Sequence, residues 1–433
     1  MFRFVHTADI HLDSPLRSLA LRNPSVGEMV SNATRQAFVR IVDLCVDEGI
    51  DALILAGDLY DGDQTSMKTA QFFAGQMARL DSAGIRVFIL RGNHDALSRI
   101  TKELVLPESV VVFGGRAEAM ALDRKGALPD IVVHGLSFAN PKAPESLLSK
   151  YKTPVSGAVN IGVMHTSLGG AVGHDPYAPC SVQDLEGSGF QYWALGHIHK
   201  RSAWVDTCTT VMPGNPQGRD INEAGPKSVS LVTVQDNGDI TVEERNVSIA
   251  QFERLLVDVS GVDDWRDLVT TASTALRALR REVLTEHLIV RLRLTGKTPL
   301  SWRMRRDADL LQTEMNAQGE QVGNTWIEKV EIATETGSAE NGRAETGALA
   351  EAASGNTIVE LRALIDMKLR SSPGFQAQMH EIAEDLLKSL PVEIRGQFGG
   401  DELEQSAFLD NLLCQGADDV LARLQDNQAS GAG

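Results

Sequence analysis

Cysteine is scarce: four residues in 433, at Cys45, Cys180, Cys208 and Cys414, far apart and without a CxxC. That excludes a disulfide-stapled scaffold and a cysteine-ligated structural zinc site, and reads as reduced thiols in a cytosolic protein. Long apolar runs are also missing. No stretch of about 18 apolar residues occurs, so no membrane span is expected. The opening residues, MFRFVHTADIHL, lack an apolar segment with a cleavage site, so no signal peptide is expected and the location reads as cytoplasmic. No internal repeat is visible. Positive charge is short: 41 Lys and Arg stand against 58 Asp and Glu, a net charge of −17. A chain of this sign is no indiscriminate nucleic-acid binder, although bound divalent metals reverse the sign locally.

What is present is an alternation of strands and helices over the first 235 residues. FRFVHTAD, DALILAGD, RVFILRGNHD, DIVVHGLSF, AVNIGVMHTS and YWALGHIH each read as an apolar strand that stops at polar residues. Amphipathic helices are expected from about Val30 to Glu48 and from about Ser66 to Ala83. Strands this uniformly apolar are buried on both faces, which predicts helix-covered layers of an α/β fold. KSVSLVTVQDNGDITVEERNV reads as a β-hairpin turning at Asn237-Gly238 and closing a first domain at 1–248. Residues 249–335 read as a compact βαβαβ module. Residues 336–356, TGSAENGRAETGALAEAASGN, read as a linker, and 357–433 as a helical region. From Gly355 onward 13 acidic residues outnumber 6 basic ones.

The chemistry collects at the strand ends. Five of them carry Asp9 and His11; Asp58 and Asp61; Asn93, His94 and Asp95; His165; and His197 and His199. Singly, each has a bland reading as a turn former or a hydrogen-bonded core residue. Jointly they supply oxygen and imidazole ligands at successive strand ends, where such folds build sites. A mixed Asp, Asn and His set suits Mn²⁺, Fe or Zn better than Ca²⁺ or Mg²⁺. It fits a two-metal site that activates water for in-line attack on phosphorus. Gly57, Gly92 and Gly196 are expected to let the backbone turn sharply just before these residues. His6 reads as buried structure, His134 as a weaker strand-end residue, and His174, His287 and His380 as surface residues.

The order D-x-H, GD-x-x-D, GNHD, H, GHxH resembles the signature of the calcineurin-like metallophosphoesterases. Within that superfamily the chain resembles the SbcD/YhaO-type DNA repair nucleases. HTADIHLDSPL, LILAGDLYDG, ILRGNHD, ALGHIHK and PGNPQGRDINEAGPK carry the likeness. It covers the first domain; the βαβαβ module and tail match in layout only. The resemblance implies a two-layer β-sandwich flanked by helices, with a small α/β cap and a helical C-terminal region. It implies that Asp9, His11 and His199 hold one metal with bridging Asp58, and that Asn93, His165 and His197 hold the second with Asp58. His94 would act as general acid or phosphate clamp, with Asp95 orienting it. Position 61 departs from archaeal and eukaryotic relatives, which carry a histidine there; Asp61 follows the bacterial pattern.

The metal site specifies phosphoester hydrolysis, and the rest of the chain must name the substrate. Between Arg277 and Arg306 lie nine basic residues, opposed only by Glu282 and Glu286. A locally basic module suits a polyanion, although a solvated helix face reads the same way. Asp61, Arg91, Lys200, Arg201 and Arg219 are candidate substrate contacts, the four cations for phosphate. The acidic tail suits docking to a protein, with Leu403, Phe408, Leu409, Leu412 and Leu413 spaced for a groove; they equally suit packing on their own chain. The family supplies the expected partner, an SbcC/YhaN-like coiled-coil ATPase, and dimerisation through the phosphoesterase domain. One reading is an Mn²⁺-dependent DNA nuclease acting on duplex ends in the 3′–5′ direction and on single strands. Another is a phosphoesterase for small nucleotides or sugar nucleotides. A third, a catalytically dead scaffold, sits poorly with the intact ligand set.

Overall fold

The computed structural model describes residues 1–14, 32–60, 66–95, 104–122, 130–138, 143–169, 177–336, 360–361, 363–369, 371–389 and 402–430. Two compact units divide the chain. The first comprises Met1–Arg254, Leu279–Arg291 and Gly323–Glu328; the second comprises Leu255–Ala278, Leu292–Val322 and Lys329–Gly433.

Two six-stranded sheets build the first unit. Its strands are β1 (Phe2–Thr7), β2 (Ala52–Ala56), β3 (Arg86–Leu90), β4 (Val110–Val112), β5 (Glu118–Leu122), β6 (Ile131–Gly135), β7 (Val159–His165), β8 (Tyr192–Gly196), β9 (Ser202–Val205), β10 (Thr209–Met212), β11 (Ser228–Val234) and β12 (Ile240–Asn246). One sheet runs β12-β11-β1-β2-β3-β4 and the other β5-β6-β7-β8-β10-β9. Strands β1 to β4 are mutually parallel, as are β6, β7, β8 and β10. Antiparallel strands flank both parallel blocks.

Side-chain alternation sorts each strand between two layers. In β2, Ala52, Ile54 and Ala56 enter the core between the sheets, with Phe4, Phe88, Ile161, Tyr192 and Val211. Leu53 and Leu55 face the other way, onto Phe38, Ile41, Phe73 and Met77 of helices α1 (Ala33–Asp47) and α2 (Met67–Ser82). The outer face of the second sheet buries Trp193, Leu195 and Met212 against Phe190 and Leu185 of the short helix α3 (Val182–Glu186). Burial on both faces is why these strands read as continuous apolar runs. Ser66 caps α2, its hydroxyl accepting from Thr69 N at 3.2 Å. Strands β4, β5, β9 and β10 were not expected from the sequence; β4, β5 and β9 are short edge or near-edge strands, incompletely buried, with little apolar signal.

Three further strands, β13 (Ala250–Asp258), β14 (His287–Thr298) and β15 (Thr325–Thr336), form a sheet with β14 in the middle. Helix α4 (Trp265–Glu282) connects the first two. The second helix of the expected βαβαβ module is broken at Asp307 (φ −103°, ψ 32°) into α5 (Ser301–Arg306) and α6 (Ala308–Val322). Within the second unit Trp265 donates its indole N–H to Glu314 at 2.7 Å, and the Arg303 guanidinium lies 4.7 Å over its ring. The tail is helical as expected, in α7 (Pro373–Ser389) and α8 (Glu402–Ser430), and α8 packs on α5. Phe408 and Leu412 are exposed on α8; the Leu403 side chain lies outside the described residues. So does the expected linker beyond Thr336.

Candidate metal centre

The ends of β1, β2, β3, β7 and β8 meet in one place. The loop after β1 is laced to the loop after β2 by backbone bonds: Asp9 N to Gly57 O (3.0 Å), His11 N to Asp58 O (3.1 Å) and Leu12 N to Leu59 O (2.9 Å). Asp9, His11, Asp58 and His197 all adopt left-handed φ, at 51°, 47°, 52° and 104°. Each such residue costs roughly 1–3 kcal/mol and persists only where its surroundings over-determine it. Strain concentrated on four residues that offer ligand atoms marks a built site. His197 N, for example, donates to both carboxylate oxygens of Asp9, at 3.1 and 2.9 Å.

Two of the three glycines serve the site in a different way from that expected. Only Gly57 has a positive φ, 100°. Gly92 and Gly196 are needed for space. A Cβ on Gly92 would overlap the Asp58 carboxylate, and one on Gly196 would overlap the Ala56 carbonyl.

Two donor trios result: Asp9, His11 and His199, and Asp58, His165 and His197. Within each, ligand atoms lie within 4.8 Å of one another. In the first, His11 Nε2 faces His199 Nε2 across 3.2 Å, and His199 Nδ1 lies 2.7 Å from Glu223 Oε1. Glu223 accepts from the Nδ1–H, so the His199 Nε2 lone pair points at His11. In the second, His165 Nδ1 donates to Ala56 O at 3.0 Å. Its Nε2 stands 2.9 Å from Asn93 Oδ1 and 3.2 Å from Asp58 Oδ2. Burial opposes charge on His165, but the neighbouring Asp58 charge outweighs it and lifts its pKa to about 9. Burial likewise opposes charge on Asp58, and the His165 imidazolium holds it well below the usual carboxylate range. Burial raises Asp9, against the pull of His165 and His199. The His165 Nε2 proton thus stands between two acceptors, Asn93 Oδ1 and Asp58 Oδ2, where a cation would stand. Oxygen and imidazole donors without sulfur suit a pair of divalent ions at these trios.

His94 is exposed beside them, its ring 5.3 Å from that of His11 and its N donating to Asp58 Oδ1 at 3.0 Å. Asp95 does not orient the His94 imidazole. Fully buried, it accepts from Leu59 N at 3.0 Å, and burial beside Asp58 raises its pKa to about 7. It braces the loop that carries Asp58. Asp61 lies outside the described residues.

Of the candidate phosphate contacts, Lys200 is exposed. Arg201 is drawn into the first sheet, donating to Ser230 at 2.9 Å and lying 3.5 Å from Glu244. Arg91 is half-buried after β3, its backbone N bonded to Ser137 Oγ. Arg219 forks onto Glu223, with Nη2 at 2.8 Å from Oε1. Glu223 is the site residue that sequence reasoning missed. Its only signal was a place in PGNPQGRDINEAGPK, 24 residues after His199 and without metal-ligand spacing. His6 is core structure, between Tyr192 Oη and Leu195 O, and burial lowers its pKa to about 3. His134 pairs with Asn160. His287, expected at the surface, is half-buried; His174 lies outside the described residues.

A double-layered sheet with two convergent Asp/His trios at its parallel strand ends defines a metal-dependent phosphoesterase. Residues 2–201 match the calcineurin-like phosphoesterase family, and residues 252–335 match the middle domain of the metallophosphoesterase YhaO. The chain is 32% identical over 319 residues to the uncharacterized metallophosphoesterase YhaO of Bacillus subtilis, covering 73% of this chain and 77% of that one. The protein belongs to the calcineurin-like metallophosphoesterases and is a hydrolase. It is also similar to the DNA double-strand break repair protein Mre11 of Sulfurisphaera tokodaii, 25% identical over 57% of this chain and 63% of that one. SbcD of the Escherichia coli nuclease SbcCD is 23% identical over 68% of this chain and 85% of its own.

Proposed function

We propose that this protein is an Mn²⁺-dependent DNA repair nuclease, cutting duplex ends in the 3′–5′ direction and single strands endonucleolytically, in the cytoplasm. The observation that carries the reading is the pair of donor trios at the strand ends of a chain related to SbcD and Mre11. Asp9, His11 and His199 would hold one ion and Asn93, His165 and His197 the other, with Asp58 available to both. Bound divalent ions supply Lewis acidity and a water of lowered pKa. His94 protonates or clamps the leaving oxygen. Lys200 is the exposed cation next to the ligands. Residues 1–248 form the phosphoesterase domain, 249–335 a DNA-binding cap, 336–356 a linker, and 357–433 a helical region that docks an SbcC/YhaN-like coiled-coil ATPase. The protein works as a homodimer.

One observation favours a second reading, hydrolysis of small nucleotide or sugar-nucleotide diesters. Much of the basic stretch is already paired: Arg291 with Glu328, Lys297 with Glu335, and Arg303 and Arg306 with Asp307. An end-labelled duplex incubated with Mn²⁺ separates the two, run beside bis-p-nitrophenyl phosphate, a nucleotide panel and the Asp58→Ala variant. Metal-dependent degradation of the duplex, absent in the variant, supports the nuclease. Small-diester hydrolysis with intact DNA, unchanged by the coiled-coil ATPase and ATP, supports the second reading.

A further inference from the structure

The loop from Asn215 to Glu223 wraps one carboxylate in donors. Glu223 Oε2 accepts from Asn215 Nδ2 at 2.7 Å and from Arg219 N at 2.8 Å. Oε1 accepts from Arg219 Nη2 at 2.8 Å and from His199 Nδ1 at 2.7 Å. Arg219 Nη2 also lies 3.1 Å from His199 Nδ1. Both cannot bond to each other as donors, and a lone pair on Nδ1 would repel the carboxylate oxygen at 2.7 Å. The proton therefore sits on Nδ1, pointing at Glu223, and Arg219 spends its fork on the carboxylate. Without that acceptor a neutral His199 is free to carry its proton on Nε2, in the 3.2 Å gap to His11. That proton would occupy the place of a cation.

We infer that Glu223, clamped by Arg219 and Asn215, is a positioning residue that fixes the tautomer and aim of His199 and so sets the affinity of one of the two metal positions. The inference rests on the metal assignment proposed above. It moves Arg219 from the substrate side of the site to the support behind a ligand. In the other trio, His165 Nδ1 is held by a backbone carbonyl, Ala56 O, which no side-chain substitution removes. Outer carboxylates of this kind typically contribute about 10- to 100-fold in metal affinity.

The test is Mn²⁺ titration of the metal-free full chain by calorimetry, with free Mn²⁺ counted by paramagnetic resonance. The variants are Glu223→Ala, Arg219→Ala and Gln217→Ala. Gln217 serves as the loop control: its Oε1 accepts from Ile249 N at 2.9 Å and its Nε2 donates to Ala250 O at 2.8 Å, away from His199. The expected result is that Glu223→Ala weakens one Mn²⁺ equivalent about 10- to 100-fold and leaves the other near its wild-type affinity. Arg219→Ala does the same to a smaller degree, and Gln217→Ala lowers the melting temperature with both equivalents kept. Two unaltered equivalents in folded Glu223→Ala would overturn the inference. So would equal weakening of both equivalents in all three variants, which would mean that the loop acts only as structure. A wild-type protein that fails to bind two equivalents would instead sink the metal assignment itself.

Discussion

The strand ends of the first sheets and the basic stretch from Arg277 to Arg306 both concentrate polar residues, and they use them in opposite ways. At the strand ends, residues from positions 9 to 199 converge on shared points, buried or half-buried, with Asp9, His11, Asp58 and His197 held in left-handed backbone. In the basic stretch, charges disperse into separate partnerships. Arg291 meets Glu328 in two bonds of 2.9 and 2.7 Å, Arg305 caps Thr334 O, and Arg280 caps Thr285 O. Arg277, Arg281 and Arg293 remain exposed, as do Lys297, Arg303 and Arg306 beside their acidic partners. Parallel strands ending together make convergence unavoidable, whereas a long flexible cation finds the nearest acid or carbonyl. Counting charges in sequence overstates what a polyanion would meet.

The comparison predicts large effects at the convergence points and small ones in the basic stretch. Asp58→Ala should reduce turnover to background and lose both metal equivalents, read by calorimetry and diester hydrolysis. His94→Ala should keep both metals and lower kcat by about 10²- to 10⁴-fold, the usual worth of a general acid. A variant that turned over normally would break the site assignment. Gly92→Ala should weaken metal binding as well as stability, because the added Cβ displaces the Asp58 carboxylate. Normal metal uptake by that variant would show that the loop yields.

Metal uptake should also depend on pH with a defined sign. His165, raised to about 9, is protonated at neutral pH in the metal-free protein. Its pairing with Asp58 stabilises that form fully below pH 6.5, and the contribution fades as pH rises through about 9. Binding a cation expels that proton, so affinity should rise by about tenfold per pH unit between neutrality and pH 9. Calorimetry in buffers of different ionisation enthalpy counts the released proton; a count of zero would exclude His165 as a ligand.

In the basic stretch, Arg291→Ala should cost about 3 kcal/mol, because it strands the buried Glu328 carboxylate, with small-diester turnover unchanged. Arg293→Ala should change stability little and, if DNA is the substrate, lower the salt dependence of binding by about one phosphate contact. A larger loss of DNA binding from Arg291→Ala than from Arg293→Ala would erase the distinction between paired and exposed cations.

Much of this was legible in the chain itself. Apolar runs announced β1, β2, β3, β6, β7 and β8, and the polar residues that stop them announced the candidate ligands, since strand direction and sheet order oblige those ends to meet. The edge strands were not legible, because β4 and β9 are short and half-exposed and carry little periodic signal. Gly92 was recognised as special for the wrong reason: a glycine needed for room looks in sequence like one needed for a turn.

What the sequence by itself determined is local and chemical: helix and strand periods, the phosphoesterase ligand types, and the negative charge of the tail. Tertiary structure alone decided the partnerships. It sent Arg219 and Glu223 behind His199, turned Asp95 onto the backbone of Leu59, and spent Arg201 on Ser230. Those outcomes depend on which of several reachable partners lies nearest once the layers have packed, and spacing along a chain carries no such distance.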